Sequence, residues 1–176
     1  GDEYGTKDGR FHLVDNYVLT IDLNGHTIDR NLKEARGSGS VFYLEDVDIK
    51  LTIKDSAGGG KITGGNSVYN GGGINVYDGS LYIESGEISG NHATNLGGGV
   101  YWYSDSTFCM TGGIITGNTA GKNGGGICND GGGWDAKNGI AIFLGGDTKI
   151  YGNSGAGSEN SNLYLNEGRY INHTAG

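Results

Sequence analysis

Proline is absent from this 176-residue chain, and cysteine occurs only twice, as Cys109 and Cys128. Two cysteines are too few for a disulfide framework, and neither a Cys-x-x-Cys pair nor a Cys/His metal spacing is present. Positive charge is scarce: 12 Lys and Arg stand against 20 Asp and Glu, for a formal net charge of −8. Without a Lys/Arg cluster, a nucleic-acid or anionic-membrane surface is not expected. No apolar run approaches the length of a membrane span, and no secretory leader is recognisable.

Glycine is what the chain has in quantity, at 38 positions. That abundance without a collagen period could signal low complexity. However, 35% of residues are hydrophobic, and they come in short alternating runs. Glycine therefore reads as punctuation between strands, since it takes positive φ at no steric cost. Gly-Gly-Gly followed by a β-branched residue recurs at 71–74, 97–100 and 124–127, at intervals of 26 and 27 residues. Between these lies Gly-Lys-Ile-Thr-Gly at 60–64, then Glu-Ile-Ser-Gly-Asn at 87–91, Ile-Ile-Thr-Gly-Asn at 114–118 and Lys-Ile-Tyr-Gly-Asn at 149–153. From Ile62 to Ile74, Ile88 to Val100 and Ile115 to Ile127 the distance is 12 residues each time. One loop thus keeps its length, and variation collects elsewhere, as in the Gly131–Gly139 insertion.

Apolar residues alternate with period two inside each unit, the pattern of a half-buried strand. Ile74, Val76, Leu81, Ile83 and Ile88 point inward, as do Val100, Trp102, Phe108, Met110 and Ile115 in the next unit. Phe42, Leu44, Leu51, Ile53 and Ile62 form the second unit; Ile21, Leu23 and Ile28 are matched to Leu81, Ile83 and Ile88 in the first. Leu163 and Leu165 open a last, partial one. Such strands bury their apolar faces only by stacking in parallel, coil on coil. The expected architecture is all-β: a right-handed parallel β-helix of about six coils with three short strands each, spanning about 24 Å. It occupies residues 11–171 of a single domain, 1–176, with 1–10 as a cap or linker and 172–176 as a tail. Asn31–Arg36 is expected to form one helical turn.

Leu-Asn-Gly-His-Thr-Ile at 23–28, followed by the Gly-Gly-Gly-Ile and Ile-Ser/Thr-Gly-Asn repeats, resembles the pectate-lyase-like parallel β-helix superfamily. Within it, the chain is most similar to repetitive surface or secreted proteins of Gram-positive anaerobes. The Gly-Gly-Gly-Ile turns are also similar to the GGA[I/L/V] turns of polymorphic autotransporter passengers, without their FxxN element. The resemblance implies an extracellular protein, secreted or attached to the cell surface, and a piece of a larger multidomain parent. Many relatives with this fold are polysaccharide lyases or glycoside hydrolases.

Asn66, Asn91, Asn118 and Asn153 fall at one turn and suggest an asparagine ladder, whose stacked amides satisfy the turn backbone. A strand, not a helix, follows each glycine triplet, so the phosphate-cradle reading fails. Calcium could enter an acidic loop, but no defined cage or nonapeptide repeat supports it, and no cofactor is expected. The outward positions on the first strand of each coil form two columns. One reads Tyr43, Asn75, Tyr101, Cys128, Tyr164; the other reads Glu45, Tyr77, Tyr103, Asp130, Asn166. Tyr43, Glu45, Tyr77, Tyr101, Tyr103 and Asp130 become the candidate ligand-binding face, because amphipathic rings beside hydrogen-bonding groups suit sugar rings. Tyrosine also simply favours strands and stacks between rungs. Hydrolysis of a glycosidic bond needs two carboxylates across a cleft, and the acids here are scattered: Asp22, Asp46, Asp48, Asp55, Asp78, Glu84, Glu87, Asp105. Arg10, Arg30, Arg36 and Arg169 map near the ends. The expectation is a non-catalytic adhesion or glycan-binding module meeting a polysaccharide or a host-surface glycan or protein. A polysaccharide-active enzyme, or a plain spacer, is the alternative.

Overall fold

A computed structural model describes residues 9–103, 107–130, 141–156, 161–166 and 170–174. Asp105, Trp134 and the 131–139 insertion lie outside them, as does most of the expected N-terminal cap. The chain is a parallel β-solenoid of about five turns with three sheets, and a sixth turn begun at Leu163–Leu165. Every strand pairing among the described residues is parallel and joins equivalent positions one coil apart.

The three sheets are divided differently from the sequence expectation. The two N-terminal runs of each unit share one bent, ten-stranded sheet, and in two coils they fuse into single strands, Phe42–Lys54 and Ile74–Ile83. The second sheet stacks Thr27–Asp29, Lys61–Thr63, Glu87–Ser89, Ile114–Thr116 and Lys149–Tyr151. The third lies within the loop of constant length, as the two-residue strands Asn66–Ser67, His92–Ala93, Thr119–Ala120 and Ser154–Gly155. Pairing with the coils on either side explains why that loop cannot change length.

The inward residues form one continuous core. Phe42, Leu44, Leu51, Ile62, Ile74, Val76, Leu81, Val100, Trp102, Phe108, Met110, Ile115 and Ile127 are completely covered. Each contributes roughly 1.5–3 kcal/mol relative to exposure, so the apolar interior is what holds the coils in register. In the first coil the register match shifts by two residues: Leu19 and Ile21 pair with Leu51 and Ile53, which in turn pair with Leu81 and Ile83. Leu23, also buried in the core, closes a tight turn in which Asn24 (φ 47°) and Gly25 (φ 77°) lie between it and His26, whose N–H donates to its carbonyl at 2.8 Å. That turn lengthens the link to Ile28, so counting back from Ile28 overshoots.

Asn31–Arg36 contains no helical turn. The N–H groups of Leu32 and Arg36 donate to Gly64 and Asn66 of the next coil, and Arg36 bridges to Ser67. This segment is the first rung of the third sheet, because a backbone beside a free strand edge gains more from pairing with it than from coiling on itself.

The glycine triplets are part of the stack. The N–H groups of Gly72 and Gly73 donate to Gly97 and Gly98, and those of Gly98 and Gly99 to Gly124 and Gly125. A Cβ on Gly99 would lie 2.6 Å from the carbonyl oxygen of Gly126 and 3.0 Å from the side-chain nitrogen of Asn118. Bare backbone is therefore what lets the turns close against the asparagine ladder.

Candidate functional site

Asn91, Asn118 and Asn153 form that ladder. The backbone N–H and Nδ2 of Asn91 both lie 3.0 Å from Asn118 Oδ1, and those of Asn118 lie 3.0 Å from Asn153 Oδ1. Asn118 Nδ2 also donates to the carbonyls of Ile88 at 2.8 Å and Thr116 at 3.0 Å. Asn66 is not a member. It pairs with His92, one position further on, and Gly65 holds the ladder position, donating its N–H to Asn91 Oδ1. Asn162 ends the ladder instead, accepting from Asn153 N and Nδ2 at 3.1 Å. It reaches in from the next turn, nine residues after Asn153, so no repeat count points to it.

On the first sheet the column Tyr43, Asn75, Tyr101, Cys128, Tyr164 is in register as read from the sequence. The second column is broken. Glu45 stands opposite Asp78, because the register slips between Leu44 and Glu45 and leaves Tyr77 without a partner on that strand; a second irregularity follows at residues 46–49. Three tyrosines still meet: Tyr77 and Tyr103 have ring centroids 5.4 Å apart and planes 14° from parallel, and Tyr101 and Tyr103 lie 6.4 Å apart at 16°. Tyr77 is 49% exposed, Tyr103 half-buried and Tyr101 only 5% exposed. Tyr101 therefore supports the face from below.

The face is not flat. The Tyr69–Asn70 loop and the Gly37–Ser40 segment rise beside it and enclose a groove of about 390 Å³, within the usual size of a small-ligand site. Its lining includes Tyr43, Glu45, Tyr77, Tyr101 and Tyr103, joined by Arg10, Tyr69, Asn70 and Asn75. Asp130 does not line the groove; after burial, its charge is what raises the Tyr101 phenol and the Cys128 thiol. Arg10 is not remote as its place in the chain suggested. The strand Phe11–Leu13 pairs with Phe42–Leu44, and this brings the Arg10 Cζ to 4.6 Å from the Tyr43 ring centroid. Tyr69, 62% exposed, sits in a loop with no periodicity to expose it to sequence reasoning.

His12 closes that end. Its Nε2 donates to Glu45 Oε2 at 2.6 Å, and its ring lies 5.1 Å from that of Tyr43. Other acids are spent on turns. Asp55 accepts the N–H groups of Gly25 and Gly60, each at 2.7 Å, and Asp22 those of Asn24 and Ser56. The hydrogen bonds from Ser56, first among several, hold the Asp22 carboxyl below its ordinary value. No group of three or more His, Cys, Asp and Glu able to hold a metal occurs among the described residues. Cys109 is registered between Tyr82 and Phe143, whereas Cys128 is registered between Tyr101 and Tyr164. The two thiols thus belong to different columns, and both are free.

Burial, and then Glu45, pushes the Tyr43 phenol up to about 12, and burial with Asp130 pushes the Cys128 thiol up to about 12. Burial also raises Tyr101. A phenol held neutral in the fold stabilises it fully below the unfolded value near 10. That contribution disappears as pH rises through the folded value. An alkaline titration followed by phenolate absorbance should therefore show two late phenols, with stability falling between about pH 10 and 12. Loss of the late phase in Tyr43→Phe would assign it; an unchanged titration would refute the burial of Tyr43.

No protein-family model, curated protein or solved structure matches this chain.

Proposed function

We propose that the solenoid is a non-catalytic extracellular module, secreted or surface-attached, that binds glycan in the groove beside Tyr77 and Tyr103. The observation that supports this most is the groove itself. Near-parallel aromatic rings, half exposed, stand against amides and a guanidinium in one concavity. Apolar ring faces meet the C–H surfaces of a sugar, while peripheral polar groups take its hydroxyls. Among the described lining residues, Glu45 is the sole carboxylate, and His12 already engages it. Opposed carboxylates are what hydrolysis asks for, so binding accounts for these residues better than catalysis does. Kinship with the pectate-lyase-like superfamily, and with it the right-handed winding expected of parallel crossovers, rests on the repeat motifs.

A glycan array with the wild-type chain and a Tyr77→Ala/Tyr103→Ala variant tests the proposal. Both side chains face solvent at least in part, so the variant should fold, and its affinity should fall by about tenfold or more. Binding that survives both changes removes the groove from the account. Absence of binding leaves a plain spacer, and release of reducing or unsaturated sugar makes the module an enzyme.

A further inference from the structure

The Arg10 end of the groove narrows the class of glycan, given the binding function proposed above. Arg10 lies over the Tyr43 ring, yet its guanidinium makes no hydrogen bond to any described residue, and its Nε is fully covered without a partner. Guanidinium carries five N–H donors, and a half-buried cation whose donors meet no acceptor among the described residues lines this groove. On the same ring stands Glu45. Its carboxylate accepts from His12, which leaves capacity, since a carboxylate offers about four acceptor sites. A donor fork and an acceptor beside one aromatic ring are complementary to a secondary amide. The amide carbonyl accepts from Arg10, its N–H donates to Glu45, and its methyl rests on Tyr43.

We infer that the groove selects glycans bearing acetamido groups, the 2-acetamido-2-deoxyhexoses, over plain hexoses and over uronic acids. A hexose hydroxyl at that position satisfies one of the two groups and leaves the methyl contact unmade. A uronate brings a second negative charge beside Glu45, on a chain already at −8. Arg10 attracts that charge, but the uronate has no N–H for Glu45 and no methyl for Tyr43, and its carboxylate repels Glu45.

The test is calorimetric titration of the full chain with β-1,4-linked tetrasaccharides of N-acetylglucosamine, of glucose and of galacturonic acid, alongside the array. The N-acetylated ligand should bind at least about tenfold tighter than the glucose one. Arg10→Ala and Glu45→Ala should each bring that ratio towards one, weakening the N-acetylated ligand more than the glucose one, with the circular-dichroism spectrum unchanged. Equal affinities, preference for the uronate, or a ratio indifferent to both substitutions overturns the acetamide inference while leaving glycan binding intact. Failure of every glycan on the array to bind overturns the binding function, and the inference with it.

Discussion

Replacing Gly98 with alanine should cost about 4 kcal/mol or more, a large share of the roughly 5–15 kcal/mol that holds a domain together. Gly98 has no unusual φ that would demand glycine. Its requirement is spatial: a Cβ there would lie 2.3 Å from the carbonyl oxygen of Thr119, 2.5 Å from its carbon and 2.6 Å from the Gly125 oxygen. All three are backbone atoms of neighbouring turns, so no rotamer change relieves the overlap, and the coils must part. Gly72 and Gly125 repeat the situation, with Cβ positions 2.3 Å from His92 O and 2.2 Å from Ser154 O. Gly117 supplies the control. Its φ is +62° with nothing within 4 Å of the added atom, so Gly117→Ala carries only backbone strain of about 1–2 kcal/mol. Chemical denaturation of the two variants side by side separates the effects; equal losses would mean that the turns do not interlock.

Loss of the Asn118 side chain is the second large effect expected. It removes the acceptor of Asn91 N and Nδ2, the donor to Ile88 and Thr116, and the donor to Asn153, all in a fully covered interior. Each buried group left unmatched costs about 1–3 kcal/mol, so Asn118→Ala should lose about 3–5 kcal/mol. Asn118→Asp adds a signature that a packing defect lacks. A carboxylate keeps the acceptor oxygens but cannot donate to the two carbonyls, and burial raises its pKa above the ordinary 3.9. The variant should therefore be most stable in acid, relative to wild type, and lose ground as pH rises above about 4. Thermal melts at several pH values check this; a pH-independent difference would contradict the ladder's role.

How much was legible follows from where each residue's position is decided. The column through Tyr43, Asn75, Tyr101 and Cys128 could be read because parallel coils with apolar interiors have one register, and a slip of one residue turns every side chain over. Glu45 escaped because the register slips just before it, where the neighbouring strand carries Tyr77 as an extra residue between Val76 and Asp78. No local composition announces that slip. Asn66 misled for a different reason. Asparagine type recurs at the turn, but membership requires the preceding residue's place, and glycine fills it there. The groove's outer wall was the least visible part. Tyr69 and Asn70 precede a glycine triplet in one coil only, and Arg10 reaches the site through a three-residue strand at the start of the stack. Both depend on which loops stand beside which rung, a fact of three dimensions with no period in one.

The most direct test of the account is an amide chemical-shift titration of the labelled chain with an N-acetylated oligosaccharide. The groove predicts saturable shifts confined to Arg10, Tyr43, Glu45, Tyr69, Asn70, Tyr77 and Tyr103, across four adjacent rungs spanning about 14 Å. Shifts centred on the second sheet around Lys61, Glu87 and Lys149, or no shifts with any glycan, would contradict it.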